Sequence, residues 1–171
     1  LILSPRWGTS RGALNAVVSV SVAMLLVPQF EAAAGVDTYL KLLEWSDLNR
    51  PLMQRLSLEA PGTYAHTIAI ANLAETACNA VGANGLLARV GAYYHDIGKL
   101  KKPQYFVENQ PKGRNPHDKL KPSTSAQIIR GHIREGLELA EEYKVPRAIR
   151  AFITEHHGTG RITYFLAKAS E

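Results

Sequence analysis

The feature that most constrains this chain is a charged pair set in an apolar, helix-patterned stretch, Tyr93-Tyr94-His95-Asp96-Ile97-Gly98-Lys99. Leu86, Leu87, Val90, Tyr93, Tyr94 and Ile97 recur at helical spacing, so the segment runs into a packed interior. Gly98 then reads as the helix stop. An ionised carboxylate in such a place is costly unless it is paired or bound to a cation. In isolation, His95 and Asp96 read equally well as a hydrogen-bonded core pair. The other histidines shift the reading. Of the six in the chain, His66, His132, His156 and His157 also fall in helical contexts, and only His117 sits in an evident loop. Five imidazoles and a carboxylate are too many for one tetrahedral zinc. They suit two six-coordinate metals that share Asp96.

A chain of 171 residues that is 46% hydrophobic can build one substantial core and is too apolar to be disordered. Cys78 is the one cysteine, so no internal disulfide forms. A reducing compartment and a small core residue follow. Between Lys99 and Lys121 lie seven basic residues (Lys99, Lys101, Lys102, Lys112, Arg114, Lys119, Lys121) against two acids, Glu108 and Asp118. This loop carries an excess equal to the net +5 of the whole chain. Such a loop beside a metal site suits a phosphate-bearing substrate; it also fits a solvated loop or one near an anionic membrane. The substrate role is assigned to Lys99.

From Gly12 to Pro28 runs an apolar stretch without a charge, flanked by Arg6 and Arg11 before it and Ala32-Ala33-Ala34 after it. By itself it reads as a membrane span, a signal peptide or a buried helix. Asp37 is placed to cap a short helix with Tyr39, Leu40, Leu42 and Leu43 on one side. Pro51 breaks that helix, and Leu52, Met53, Leu56 and Leu58 start another. Pro61-Gly62-Thr63 opens a long helix to about Gly82. His66, Ile70, Leu73 and Ala77 share one of its faces, which is expected to point inward with His66 as a metal ligand. Asn84 caps the helix that ends in His95-Asp96. The polar segment 99–121 is expected to be a long functional loop. In it Tyr105, beside Phe106, is a candidate to stack on a base, and Asn115 to line the site. Ser123 is the expected cap of the next helix, whose inner face reads Ala126, Ile129, Ile133, Leu137 and Ala140, with His132 at its edge. Pro146 starts another helix that ends at His156-His157-Gly158. Adjacent histidines are about 100° apart on a helix, so both reach one metal only at a terminating turn, which Gly158 supplies. A last helix spans 161–169. No strand is evident; the expected fold is an all-α bundle.

Together these motifs resemble the HD superfamily of metal-dependent phosphohydrolases. More closely, Glu59-Ala60-Pro61-Gly62-Thr63-Tyr64 with His66, Arg89-Val90-Gly91-Ala92 before the doublet, Asn115-Pro116-His117-Asp118 and His156-His157-Gly158-Thr159 resemble the cytoplasmic domain of the seven-transmembrane-HD receptors. Those bacterial membrane phosphodiesterases hydrolyse cyclic di-AMP to linear pApA. The resemblance implies a last transmembrane helix over 1–30, a helical connector over 31–58 and an HD domain over 59–171, with that domain in the cytoplasm. It implies one metal on His66, His95 and Asp96, and a second on Asp96, His132, His156 and His157. Asp96 and Lys99 become catalytic, and Lys99, Tyr105 and Asn115 substrate-binding. Mixed nitrogen and oxygen ligation favours two manganese or iron ions over zinc. The implied partners are a cyclic dinucleotide and the membrane, not a nucleic-acid polymer, and a homo-oligomer is allowed.

Two departures matter. The family commonly carries two successive histidines where Ala65-His66 stands, which removes no ligand but can remove an outer contact. It also places a further Asp on a downstream helix, a position that Asp37, Asp47 and Asp118 do not match. The chain therefore reads as a fragment whose first metal is under-ligated and whose activity is weak or lost. The related enzymes that cleave cyclic di-GMP carry Gly-Tyr-Pro after the histidine pair; Gly158-Thr159-Gly160-Arg161-Ile162-Thr163 disfavours that branch. Action on another nucleotide, or a sensor that binds without cleaving, are the alternatives.

Overall fold

The computed structural model describes the backbone of residues 6–34 and 38–169, and among the described residues it is helical with no strand. In order come α1 (Arg6–Ala34), α2 (Tyr39–Trp45), α3 (Pro51–Glu59), α4 (Pro61–Ala80), α5 (Gly85–Tyr94), α6 (Pro122–Glu142), α7 (Arg147–Glu155) and α8 (Thr163–Lys168). The chain divides into two compact units, 1–38 and 39–171.

In the first unit α1 continues through Pro28. Its segment Arg11–Glu31 has 21 residues and the composition of a membrane-crossing helix. Leu14, Met24, Leu25 and Phe30 on it are exposed. The cap expected at Asp37 lies outside the described residues.

The second unit is built on Leu52, Met53 and Leu56 of α3, Val90 and Tyr94 of α5, Leu139 of α6, and Ile149 and Ile153 of α7, all in one buried cluster. Helix α2 joins it through Leu42 and Trp45, whereas Tyr39, Leu40 and Leu43 are exposed, so its inner face is rotated from the expected one. The Tyr94 hydroxyl donates to the Trp45 carbonyl at 3.2 Å, tying α2 to the end of α5.

Helix α4 corrects the reading of its faces. Thr63, Thr67 and Ala71 are the buried residues, while Ile70 and Leu73 are 38% and 67% exposed and Ala77 also faces out. The small residues let α4 lie close on α5, and Thr67 Oγ1 satisfies itself by donating to the Tyr64 carbonyl at 2.9 Å. Apolar periodicity picks the greasier stripe; close packing selects the slimmer one. His66 is accordingly exposed rather than inward-facing.

Gly98 is not a helix stop. Helix α5 ends at Tyr94, and Gly98 lies buried inside the 3-10 turn Ile97–Lys101. A Cβ there would stand 1.8 Å from the His132 carbonyl oxygen, so only glycine lets this turn press against α6. The same contact rotates α6, whose buried residues are Ser125, His132, Glu135, Gly136, Leu139 and Ala140, with His132 at the centre of the buried face rather than its edge. Ser123 is not the cap of α6. Lys121 holds that place with Pro122 at the first position, where the missing N–H costs nothing. Segment 99–121 is not shapeless; besides Ile97–Lys101 it folds into the turns Pro103–Tyr105, Val107–Asn109 and Pro116–Lys119.

Candidate functional site

Four segments converge on one place. The end of α5 delivers His95 and Asp96, α4 delivers His66, α6 delivers His132, and the terminating turn after α7 delivers His156 and His157. Ligand-capable atoms of His66, His95 and Asp96 lie within 4.8 Å of one another, and so do those of His132, His156 and His157. Ring centroids link the two groups: His66 to His95 at 5.5 Å, His95 to His156 at 4.9 Å and His132 to His156 at 5.4 Å. Gly158 (φ +52°) turns the chain where α7 stops, and the rings of His156 and His157 lie with centroids 4.0 Å apart, tilted by 43°.

Local backbone sets the tautomers. His95 Nδ1 donates to the Ala92 carbonyl at 2.6 Å, His132 Nδ1 to the Ile129 carbonyl, and His156 Nδ1 to the Phe152 and Ile153 carbonyls, both at 3.1 Å. A carbonyl can only accept, so each Nδ1 carries the proton and each Nε2 is the atom presented to the site. Orienting contacts of this kind are what a metal-ligating imidazole requires.

Asp96 is 3% exposed. Its Oδ2 meets Lys99 Nζ at 2.8 Å and His95 Nε2 at 3.1 Å. Its Oδ1 is buried without a hydrogen bond. It lies 3.4 Å from His132 Nε2 and 3.5 Å from His156 Nε2, which are themselves 3.3 Å apart. Burial by itself would raise the Asp96 carboxyl; the His156 and His95 imidazoles and the Lys99 ammonium outweigh it and hold the group far below the usual carboxylate range. Burial pushes His132 down, and burial with His156 and His132 pushes His157 down. A buried carboxylate oxygen that makes no hydrogen bond and faces two imidazole Nε2 atoms fits a cation. Left bare, one such oxygen costs about 1–3 kcal/mol or more. The donor set of imidazole nitrogens and carboxylate oxygen suits divalent transition metals.

Of the other sequence candidates, Lys99 stands at the cluster, between Asp96 and Glu108. Tyr105 packs its ring on His117 at 5.3 Å, and Asn115 accepts from the His117 backbone N–H at 3.1 Å, so both are engaged within their own loop. Two of the seven basic residues are paired internally: Lys99 with the two acids above, and Lys102 with the buried Glu135 at 2.6 Å. Sequence reasoning passed over Thr63, Glu108 and Asn109, which hold the loop against α4 beside Lys99. The one signal available was that Glu108 is one of only two acids in a basic stretch.

The chain is similar to proteins of known activity. The chain is 48% identical over 160 residues to the cyclic-di-AMP phosphodiesterase PgpH of Bacillus subtilis (strain 168), covering 94% of this chain and 22% of that protein. It is 46% identical over 146 residues to PgpH of Listeria monocytogenes serotype 1/2a (strain 10403S), covering 85% of this chain and 20% of that protein. The chain thus spans about a fifth of the length of these curated relatives (22% and 20%). A crystal structure of the L. monocytogenes PgpH HD domain superposes with a TM-score of 0.70 at 48% identity, over 71% of this chain and 59% of that one. A second structure of that domain, in complex with cyclic-di-AMP, matches with the same score, over 72% of this chain and 58% of that one. The HD domain pattern itself matches residues 63–170, the stretch that holds every residue of the two ligand groups, and on that match the chain belongs to the HD domain family.

Proposed function

We propose that this chain carries the catalytic helical domain of a metal-dependent phosphodiesterase that opens cyclic di-AMP to linear pApA. The observation that carries the reading is Asp96 Oδ1, buried, unbonded and faced by His132 and His156. His66, His95 and Asp96 would hold one divalent ion, and Asp96, His132, His156 and His157 a second, with manganese or iron the candidates. Bound there, such ions neutralise phosphoryl charge and lower the pKa of water. The chain's own residues do the rest. The Nδ1 hydrogen bonds of His95, His132 and His156 hold the rings in place before any ligand arrives, so no reorganisation is needed during reaction. Exposed His66 and His157 mark the open side through which a phosphodiester enters. Lys99 keeps a positive charge near Asp96 for the developing charge on phosphate.

The relatives' printed activity supports cyclic di-AMP as substrate. The length and composition of Arg11–Glu31 support a membrane span over 1–30. A connector over 31–58 and an HD domain over 59–171 on the cytoplasmic face of a bacterial membrane rest on the family resemblance.

The test is turnover of cyclic di-AMP, with manganese or iron, by this chain extended with the downstream helices of the family, alongside elemental analysis. The expected result is bound transition metal and pApA. Cyclic di-AMP binding without cleavage under any metal would replace the reading with a sensor. Asp96→Asn is expected to reduce turnover by about 100-fold or more, since outer contacts alone are worth about 10–100-fold, with metal content reduced in parallel.

A further inference from the structure

Lys99 stands between two carboxylates whose situations differ. Its Nζ lies 2.8 Å from Asp96 Oδ2 and 2.6 Å from Glu108 Oε1. Asp96 belongs to the ligand cluster, so bound cations would draw on its charge. Glu108 is in neither ligand group, and its whole charge stays with Lys99. Glu108 is in turn held. Its Oε1 accepts from Thr63 Oγ1 at 3.0 Å, and Thr63 is fully buried in the first turn of α4. Asn109 closes the arrangement: its Nδ2 donates to Thr63 Oγ1 at 2.8 Å, and its Oδ1 accepts from the Thr63 backbone N–H at 3.0 Å. That N–H is one of the free donors of the α4 N-terminus, where Ala60 has no side chain able to cap. The fit is tight, since a Cβ on Gly62 would fall 1.9 Å from the Glu108 carbonyl oxygen.

We propose that Glu108, clamped by Thr63 and Asn109, is a positioning residue that keeps the Lys99 ammonium on the phosphate side of the site when cations engage Asp96. It acts through Lys99 and touches no reacting atom. The inference rests on the phosphodiesterase reading, and it ties α4, which carries His66, to the turn that carries Lys99.

The experiment is a double-mutant cycle read two ways. On the manganese-loaded chain with cyclic di-AMP, Glu108→Gln, which keeps the shape and removes the charge, is expected to lower kcat about 10-fold with KM nearly unchanged. Lys99→Met lowers it further, and adding Glu108→Gln to Lys99→Met lowers it no more. Thr63→Val is expected to mimic Glu108→Gln in kcat, and Thr63→Ser to restore it. On the metal-free chain, urea midpoints of the same variants should show the double loss smaller than the two single losses combined. If the wild type binds metal yet cleaves nothing, the phosphodiesterase reading fails, and the metal-free cycle still decides whether Glu108 couples to Lys99. Wild-type kcat in Glu108→Gln, a double variant equal to the product of the singles, or strictly additive urea midpoints would each overturn the proposal.

Discussion

Asp96 shows how a single side chain organises a site. One of its oxygens pairs with the Lys99 ammonium and lies against His95 Nε2, and the other is buried without a hydrogen bond. The asymmetry follows from where the neighbours come from. Lys99 and His95 are local to the turn, whereas His132 and His156 come from distant segments; all three imidazoles spend their Nδ1 protons on backbone carbonyls, so the Lys99 ammonium on Oδ2 is what sets the two oxygens apart. The charges around this point also set a pH signature. Loss of solvent would raise the Glu108 carboxyl, but the Lys99 ammonium outweighs it and holds the group below its ordinary value of 4.5. Burial works against the Lys99 ammonium, but Asp96 and Glu108 outweigh it and hold it above 10.5. A depressed acid stabilises the fold above its unfolded value and loses that contribution as pH falls through its folded value. A raised base stabilises below its unfolded value and loses it as pH rises through the folded one. The stability difference between wild type and Glu108→Gln is therefore expected to be flat from about pH 5 to about pH 10 and to narrow outside that window. Urea midpoints measured across pH check this; a difference that widens in acid would contradict it.

At the scale of elements, the site depends on how closely two short pieces of backbone approach. The 3-10 turn Ile97–Lys101 lies on α6 because Gly98 and Gly136 offer no side chain between them, with the Gly98 amide nitrogen 3.3 Å from a Cβ built on Gly136. That approach brings Asp96 to within 3.4 Å of His132. Gly98→Ala is expected to cost on the order of 3 kcal/mol, because its Cβ meets the fixed backbone oxygen of His132 and not a movable side-chain end. Metal affinity should fall with it, since the turn must back away from α6. Denaturant unfolding and metal titration of the variant measure the two losses. A variant with wild-type stability would show that the turn can shift without consequence. The exposed Ile70–Leu73 stripe makes the converse point: on α4, helix approach is set by Thr63, Thr67 and Ala71, not by the largest apolar residues.

For the whole molecule, the division at residue 38 separates two kinds of stability. The second unit has its own buried cluster, drawn entirely from residues 42 to 153. Helix α1 exposes its apolar side chains along 21 residues, about 31 Å at 1.5 Å per residue, which matches a bilayer's hydrocarbon core. A chain beginning at Tyr39 is expected to unfold at the same temperature as the full chain's second unit, with the same metal stoichiometry. It should lose the association with lipid vesicles expected of the full chain. Calorimetry and vesicle co-sedimentation check both halves. Vesicle binding that survives removal of α1 would contradict the expected role of that helix.

Local chemistry made much of this legible in advance. Pro61, Asn84 and Gly158 mark ends of helices by rules that act within a few residues, and the helix ends were found where those rules place them. The His-Asp doublet and the histidine pair drew attention because charge and imidazole are costly inside an apolar pattern. Distance along the chain concealed the rest. Which face of α4 is buried, why Gly98 is needed and what Glu108 holds all depend on contacts between residues more than thirty positions apart, such as Thr63 with Glu108 and Gly98 with His132. Periodicity reports hydrophobicity along one helix. How closely two helices approach, and which carboxylate meets which ammonium, are properties of the pair, and they exist only once the chain has folded.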